Sequence, residues 1–171
     1  MTILLALLAA APEPGPPLSS HDPQTVVAFL QAEGYRAKLN PNQNSKEASV
    51  GPWIQTSDGG TNITISFLNC KNRKQCADIS FSSAWDFGTG KGPAAASLQR
   101  WNADKRFTKA YLDGEGDPVL EMDLLFTDGR LDRKTFANAL EIFTDSVGDF
   151  EQAIGWDAPA VEPAPGPTAS H

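Results

Sequence analysis

Two alternating segments joined through a pair of cysteines constrain the fold more than any other feature of the chain. Apolar and polar residues alternate over residues 63–67 and again over residues 77–81, the pattern of half-buried strands. The loop from Cys70 to Cys76 joins them, which predicts an antiparallel hairpin. A close pair of cysteines in an exported domain is typical of a disulfide, and a ring of this size contributes about 2–2.5 kcal/mol.

Helical spacing marks three further segments. Residues 22–34 begin with a capping aspartate and have proline in the first turn, and residues 94–102 place Leu98 and Trp101 on a common side. Asp132 caps the third helix, whose apolar stripe continues to Ile154. The remaining strands are predicted at four segments: residues 35–39, 51–56, 108–112 and 118–126.

The two ends of the chain differ from its middle in composition. Residues 1–11 contain an apolar run from Ile3 to Ala11 that closes on small residues, which predicts a signal peptide over residues 1–11. No basic residue precedes the run, and a terminal strand or helix is the alternative. Residues 12–21 are predicted to be a proline-rich linker, 22–156 the domain, and 157–171 a disordered tail rich in proline and alanine. No segment reaches the roughly 18–20 apolar residues of a membrane span. We therefore expect a periplasmic or secreted protein.

Charge is distributed unevenly along the chain. Residues 1–112 carry 11 basic and 8 acidic groups, whereas residues 113–157 carry 3 basic and 12 acidic groups. A chain with a pI near 4.7 repels phosphate backbones on average, so nucleic acid is excluded as the expected partner. The basic loop of Lys71, Arg73 and Lys74 is a candidate contact for an anionic surface or for the acidic half of another copy. An exposed hairpin tip is the alternative.

The residues needed for common catalytic mechanisms are scarce. The only histidines, His21 and His171, lie outside the predicted core, and both thiols are expected to be oxidised. The sequence therefore predicts no catalytic residue, no metal site and no cofactor. One alternative stays open: Glu121 and Asp123 share one face of a strand, and with Arg106 they could form a pocket for a small-molecule sensor or a minor enzyme.

The last two strands carry the candidate binding site. A turn over residues 113–117 sets Lys109 across from Glu121, where an ion pair is expected to contribute a few tenths of a kcal/mol. The same face holds the candidate binding residues: Phe107, Lys109, Tyr111 and Asp123. Exposed aromatic groups ringed by charge are typical of a protein interface, and burial beneath a helix is the alternative.

A family resemblance covers residues 23–153. It rests on the cysteine hairpin, on Trp101 and Asn102 followed by Arg106 and Phe107, and on the string LEMDL at residues 120–124. These features resemble the YbjN family of bacterial sensory transduction regulators, whose fold is like that of type III secretion chaperones. The resemblance implies an α+β fold, with a twisted antiparallel sheet packed by three helices, and is compatible with a homodimer. We therefore expect an exported, non-enzymatic binding or regulatory domain that engages a protein or peptide.

Overall fold

Antiparallel strands and three helices make up the part of the chain that the computed structural model describes, which is residues 15–42, 46–88 and 90–156. In chain order the elements are β1 (Leu18–Ser19), α1 (Gln24–Ala32), β2 (Lys38–Asn40), β3 (Trp53–Asp58), β4 (Thr61–Leu68), β5 (Asp78–Ala84), α2 (Ala95–Asp104), β6 (Lys109–Leu112), β7 (Pro118–Leu125), β8 (Arg130–Leu131) and α3 (Arg133–Ile154). The predicted α+β fold is confirmed. The predicted signal peptide and tail lie outside the described residues.

Within the described residues, one sheet has six strands in the order β2-β3-β4-β5-β7-β6, and β1 and β8 form a separate two-stranded sheet. The chain divides into two compact units. The first contains the described residues through Phe81 together with Asp123–Glu141, and the second contains Ser82–Met122 together with the described residues from Ile142 onward.

The core of the first unit follows from the strand alternation. Ile63, Ile65 and Phe67 are fully buried on β4, and Ile54 of β3 lies directly opposite Ile65. The predicted disulfide between Cys70 and Cys76 is present. It closes the loop that follows β4, and both sulfur atoms belong to buried residues.

A two-stranded sheet of β1 and β8, which periodicity does not reveal, also belongs to the first unit. Leu18, inside the predicted linker, is fully buried and pairs with Leu131. The partner strand β8 follows a tight turn in which Asp128 and Gly129 both have positive φ, as a type I′ turn requires. Two-residue strands are too short to show alternation, but the Asp-Gly pair was a usable signal for the turn.

Helix α3 begins where the sequence predicts a cap. The Asp132 carboxylate accepts a hydrogen bond from the backbone N–H of Thr135 at 2.9 Å and another from its hydroxyl at 3.2 Å. The backbone hydrogen bond lowers the pKa of Asp132 below its usual value. One backbone donor of the first turn, the Thr135 N–H, is thereby satisfied.

Aromatic side chains form the centre of the second unit. The Phe150 ring lies 5.1 Å from Trp85 and 4.9 Å from Trp101, centroid to centroid. Both indoles also donate hydrogen bonds, Trp85 to the Glu151 carboxylate at 2.9 Å and Trp101 to the Thr108 hydroxyl at 3.1 Å. Because buried indole N–H groups need partners, these bonds fix both rings in one orientation.

Candidate functional site

The hairpin of β6 and β7 has the register that the sequence predicts. Lys109 lies opposite Glu121, and Leu112 lies opposite Pro118. The Lys109 ammonium is 3.3 Å from a Glu121 carboxylate oxygen, which confirms the expected ion pair. Within the turn, the Asp113 carboxylate accepts hydrogen bonds from the backbone N–H groups of Glu115 and Asp117. The length of this turn is sufficient to set the register.

Two aromatic side chains are exposed on one face of β6 and just before it. Phe107 is 60% exposed and Tyr111 is 41% exposed. The Lys109 ammonium lies 5.9 Å from the centre of the Tyr111 ring, and the Arg106 guanidinium lies 5.5 Å from that of Phe107. Both distances are within the range of cation–π attraction. We call Phe107, Lys109 and Tyr111 together the β6 outer face.

The opposite side of the same segment is covered. Thr108 and Ala110 alternate with the residues of the β6 outer face and are buried, as the two-residue period of a strand requires. Helix α2 packs against β6. Burial beneath a helix, the alternative raised for the aromatic residues, therefore applies to Thr108 and Ala110 instead.

Asn102 holds the outer edge of β6, a role that the sequence did not reveal. The Asn102 side-chain N–H donates to the Ala110 carbonyl at 2.9 Å, and its carbonyl oxygen accepts from the Ala110 N–H at 2.7 Å. Because β6 is the last strand in the sheet order, the amide occupies the place that a neighbouring strand would take. Helix periodicity does not encode such a side-chain contact to the backbone, so only the Trp-Asn pair of the family signature marked the position.

The fourth predicted binding residue belongs to the other unit. Asp123 is on β7 and exposed in the first unit, where Leu125 on the same strand is 73% exposed. Val119 lies opposite Tyr111 in the strand register, but it is buried. The geometry of the candidate site is therefore that of the β6 outer face, and Asp123 stays a predicted member.

The carboxylates considered for a small-molecule pocket do not line three cavities that lie among the described residues. In the second unit a cavity of about 420 Å³ opens beside Trp101, Lys105 and Asp149. In the first unit two others, of about 440 Å³ and 480 Å³, lie beside Tyr35 and beside Arg73. None of these three is lined by Arg106, Glu121 or Asp123, the residues of the sensor or enzyme alternative.

Among the described residues, none of the helices has both the length and the apolar composition that a membrane span needs.

Comparison with known proteins identifies a family. No curated protein matches the chain. A solved structure, "Crystal structure of YbjN, a putative transcription regulator from E. coli", is similar at 13% sequence identity and a TM-score of 0.42, and the match covers 75% of this chain and 92% of that chain. The family model described as "Putative bacterial sensory transduction regulator" matches residues 22–156, most of the chain. The chain therefore belongs to the YbjN family.

Proposed function

We propose that this protein is an exported, non-enzymatic binding or regulatory domain that engages a protein or peptide partner through the β6 outer face. The observation that carries the proposal is the exposure of Phe107 and Tyr111, at 60% and 41%, beside two cations. Aromatic and arginine side chains dominate the energetically important positions of protein interfaces. The family's description as a regulator supports partner binding.

The chemistry of the face defines the partner. Full burial of a phenylalanine side chain contributes roughly 1.5–3 kcal/mol, so the partner requires an apolar recess that accepts Phe107. Glu121 already pairs with Lys109, whereas Arg106 contacts the Phe107 ring. A carboxylate of the partner at the rim of its apolar recess would therefore pair with Arg106 in preference to Lys109.

Export is part of the proposal and is supported by separate features. The Cys70–Cys76 disulfide suits an oxidising compartment, and the apolar run at residues 3–11 suits a signal peptide. We infer a periplasmic or secreted location. Binding is proposed to occur there.

Site-specific photo-crosslinking in the native envelope tests the binding face. A photoreactive residue in place of Tyr111 is expected to give a discrete adduct, and the matched control at Asn62, exposed on β4, is expected to give none. Phe107→Ser is expected to reduce the adduct at least tenfold, because the apolar anchor is lost. Leu125→Ser, which removes another exposed apolar side chain, is expected to leave it unchanged.

The masses of the adducts decide between partners. An adduct of twice the chain's mass identifies a second copy of this chain as the partner, and any other discrete mass identifies a different protein. Equal labelling from both positions, or an adduct that survives Phe107→Ser undiminished, contradicts the proposed face.

A further inference from the structure

We propose that the cavity beside the disulfide loop binds a small organic acid, a carboxylate carried on an apolar body. This cavity, of about 480 Å³, lies wholly within the first unit, and we call it the loop cavity. Its volume is within the range of small-molecule sites. It is separate from the β6 outer face, so the inference does not rest on the proposed function.

One wall of the loop cavity is basic and fixed in place. Arg73 and Lys74 both line it, and both lie inside the disulfide ring. The backbone of the ring is held by mutual hydrogen bonds between Lys71 and Lys74, at 2.7 and 3.1 Å, and by the Arg73 N–H, which donates to the Ala48 carbonyl at 2.8 Å. Lys74 is the exposed cation of this wall and Arg73 lies beside it, and a cation on a fixed loop favours an anion without a large ordering cost.

The other wall is apolar. Four of the residues that line the cavity have apolar side chains: Pro23, Leu39, Pro41 and Pro52. Prolines lack a backbone N–H, so three of these positions offer no main-chain donor to an anion. No acidic side chain is among the described residues that line the cavity. A bare inorganic anion would leave the apolar wall unused, whereas a carboxylate attached to an apolar body matches both walls.

A buried hydroxyl in the same cavity is a second, independent observation. Ser20 lines the cavity, is 2% exposed, and its hydroxyl has no hydrogen-bond partner among the described residues. The Ser20 backbone N–H donates to the Gly129 carbonyl at 2.9 Å, which fixes the residue. Buried hydroxyl groups are normally paired, and rotation of the Ser20 side chain toward the cavity would let a bound carboxylate provide the missing acceptor.

Octanoate is the probe for the test, with binding followed by calorimetry and by amide chemical shifts of the intact domain at pH 7. We expect saturable binding with shifts at residues 72–74. The double variant Arg73→Gln, Lys74→Gln is expected to weaken octanoate binding at least about tenfold, since each charge-assisted hydrogen bond is strong. Lys71→Gln is the matched control because it lies in the same ring but does not line the cavity, and it is expected to change affinity less than about twofold.

Two further ligands test the contribution of the charge and the source of the carboxylate. Octanamide has the same apolar chain without the charge and is expected to bind at least tenfold more weakly. The dipeptide acetyl-Ala-Leu tests whether a peptide C-terminus is the source of the carboxylate, and its binding tighter than octanoate would overturn the assignment to a small acid. Absence of octanoate saturation, equal binding of octanamide, or an equal loss in Lys71→Gln would each overturn the proposal. Retained dispersion of the amide chemical shifts in each variant shows that the fold persists. If the double variant does not fold, the single variant Lys74→Gln replaces it.

Discussion

At the scale of single residues, Gly51 shows why one position must lack a side chain. A Cβ atom there would lie 2.7 Å from the Cys70 sulfur, 2.9 Å from the Cys76 sulfur and 3.1 Å from the Phe67 carbonyl oxygen. Its φ is not in the left-handed region, so the requirement is for space. We predict that Gly51→Ala lowers the free energy of unfolding by about 1–3 kcal/mol, the usual cost of overpacking, as measured by urea titration.

Gly114 provides the matched control for that prediction. It is also a glycine without a positive φ, and a Cβ atom there would meet nothing within 4 Å. Gly114→Ala is expected to change the free energy of unfolding by less than about 0.5 kcal/mol. If the two variants unfold at the same urea concentration, close approach to the disulfide is not what constrains Gly51.

At the scale of elements, the edge of β6 depends on one amide. Asn102 supplies both a donor and an acceptor to the Ala110 backbone. Asn102→Ala would leave those backbone groups without their partner at the end of the sheet, and exposed edges pair with other chains. We predict a loss of about 1–3 kcal/mol in the free energy of unfolding, together with association that increases with protein concentration, as measured by sedimentation velocity.

Two other substitutions make the edge prediction specific. Gln99→Ala changes an exposed residue on the same helix and is expected to sediment and unfold like the parent protein. Asn102→Asp keeps an acceptor for the Ala110 N–H but loses the donor to its carbonyl, so an intermediate stability is expected. An Asn102→Ala variant with unchanged stability and the parent's sedimentation coefficient would show that the Asn102 amide neither stabilises the β6 edge nor prevents association through it.

The same elements show how far sequence reasoning reaches. Alternation predicts β4 and β5, and the turn after Leu112 predicts the pairing of Lys109 with Glu121, because both signals are local. Alternation does not show which part of a sheet face is covered: Val119 lies opposite Tyr111 and is buried, whereas Tyr111 is exposed. The contact of Asn102 with Ala110 joins a helix to a strand through a side chain, and no periodic pattern carries that information.

At the scale of the whole molecule, the disulfide and the charge distribution have different consequences. Twelve acidic groups against three basic groups over residues 113–157 affect solubility and association, and such a balance does not determine the fold. The Cys70–Cys76 bond instead supports the proposed export, because disulfides persist in oxidising compartments and are rare in reducing ones. The redox state of the native protein is therefore the property that tests export most directly.

We predict that protein taken from its native compartment has no free thiol. Alkylation under denaturing conditions is expected to label neither cysteine, and alkylation after reduction is expected to label both. The double variant Cys70→Ala, Cys76→Ala should unfold with a free energy lower by about 2–2.5 kcal/mol, because the short ring restricts the unfolded chain. Labelling of both cysteines before reduction would contradict the oxidising compartment and remove the principal support for export, while leaving the β6 outer face untouched because that face lies in the other unit.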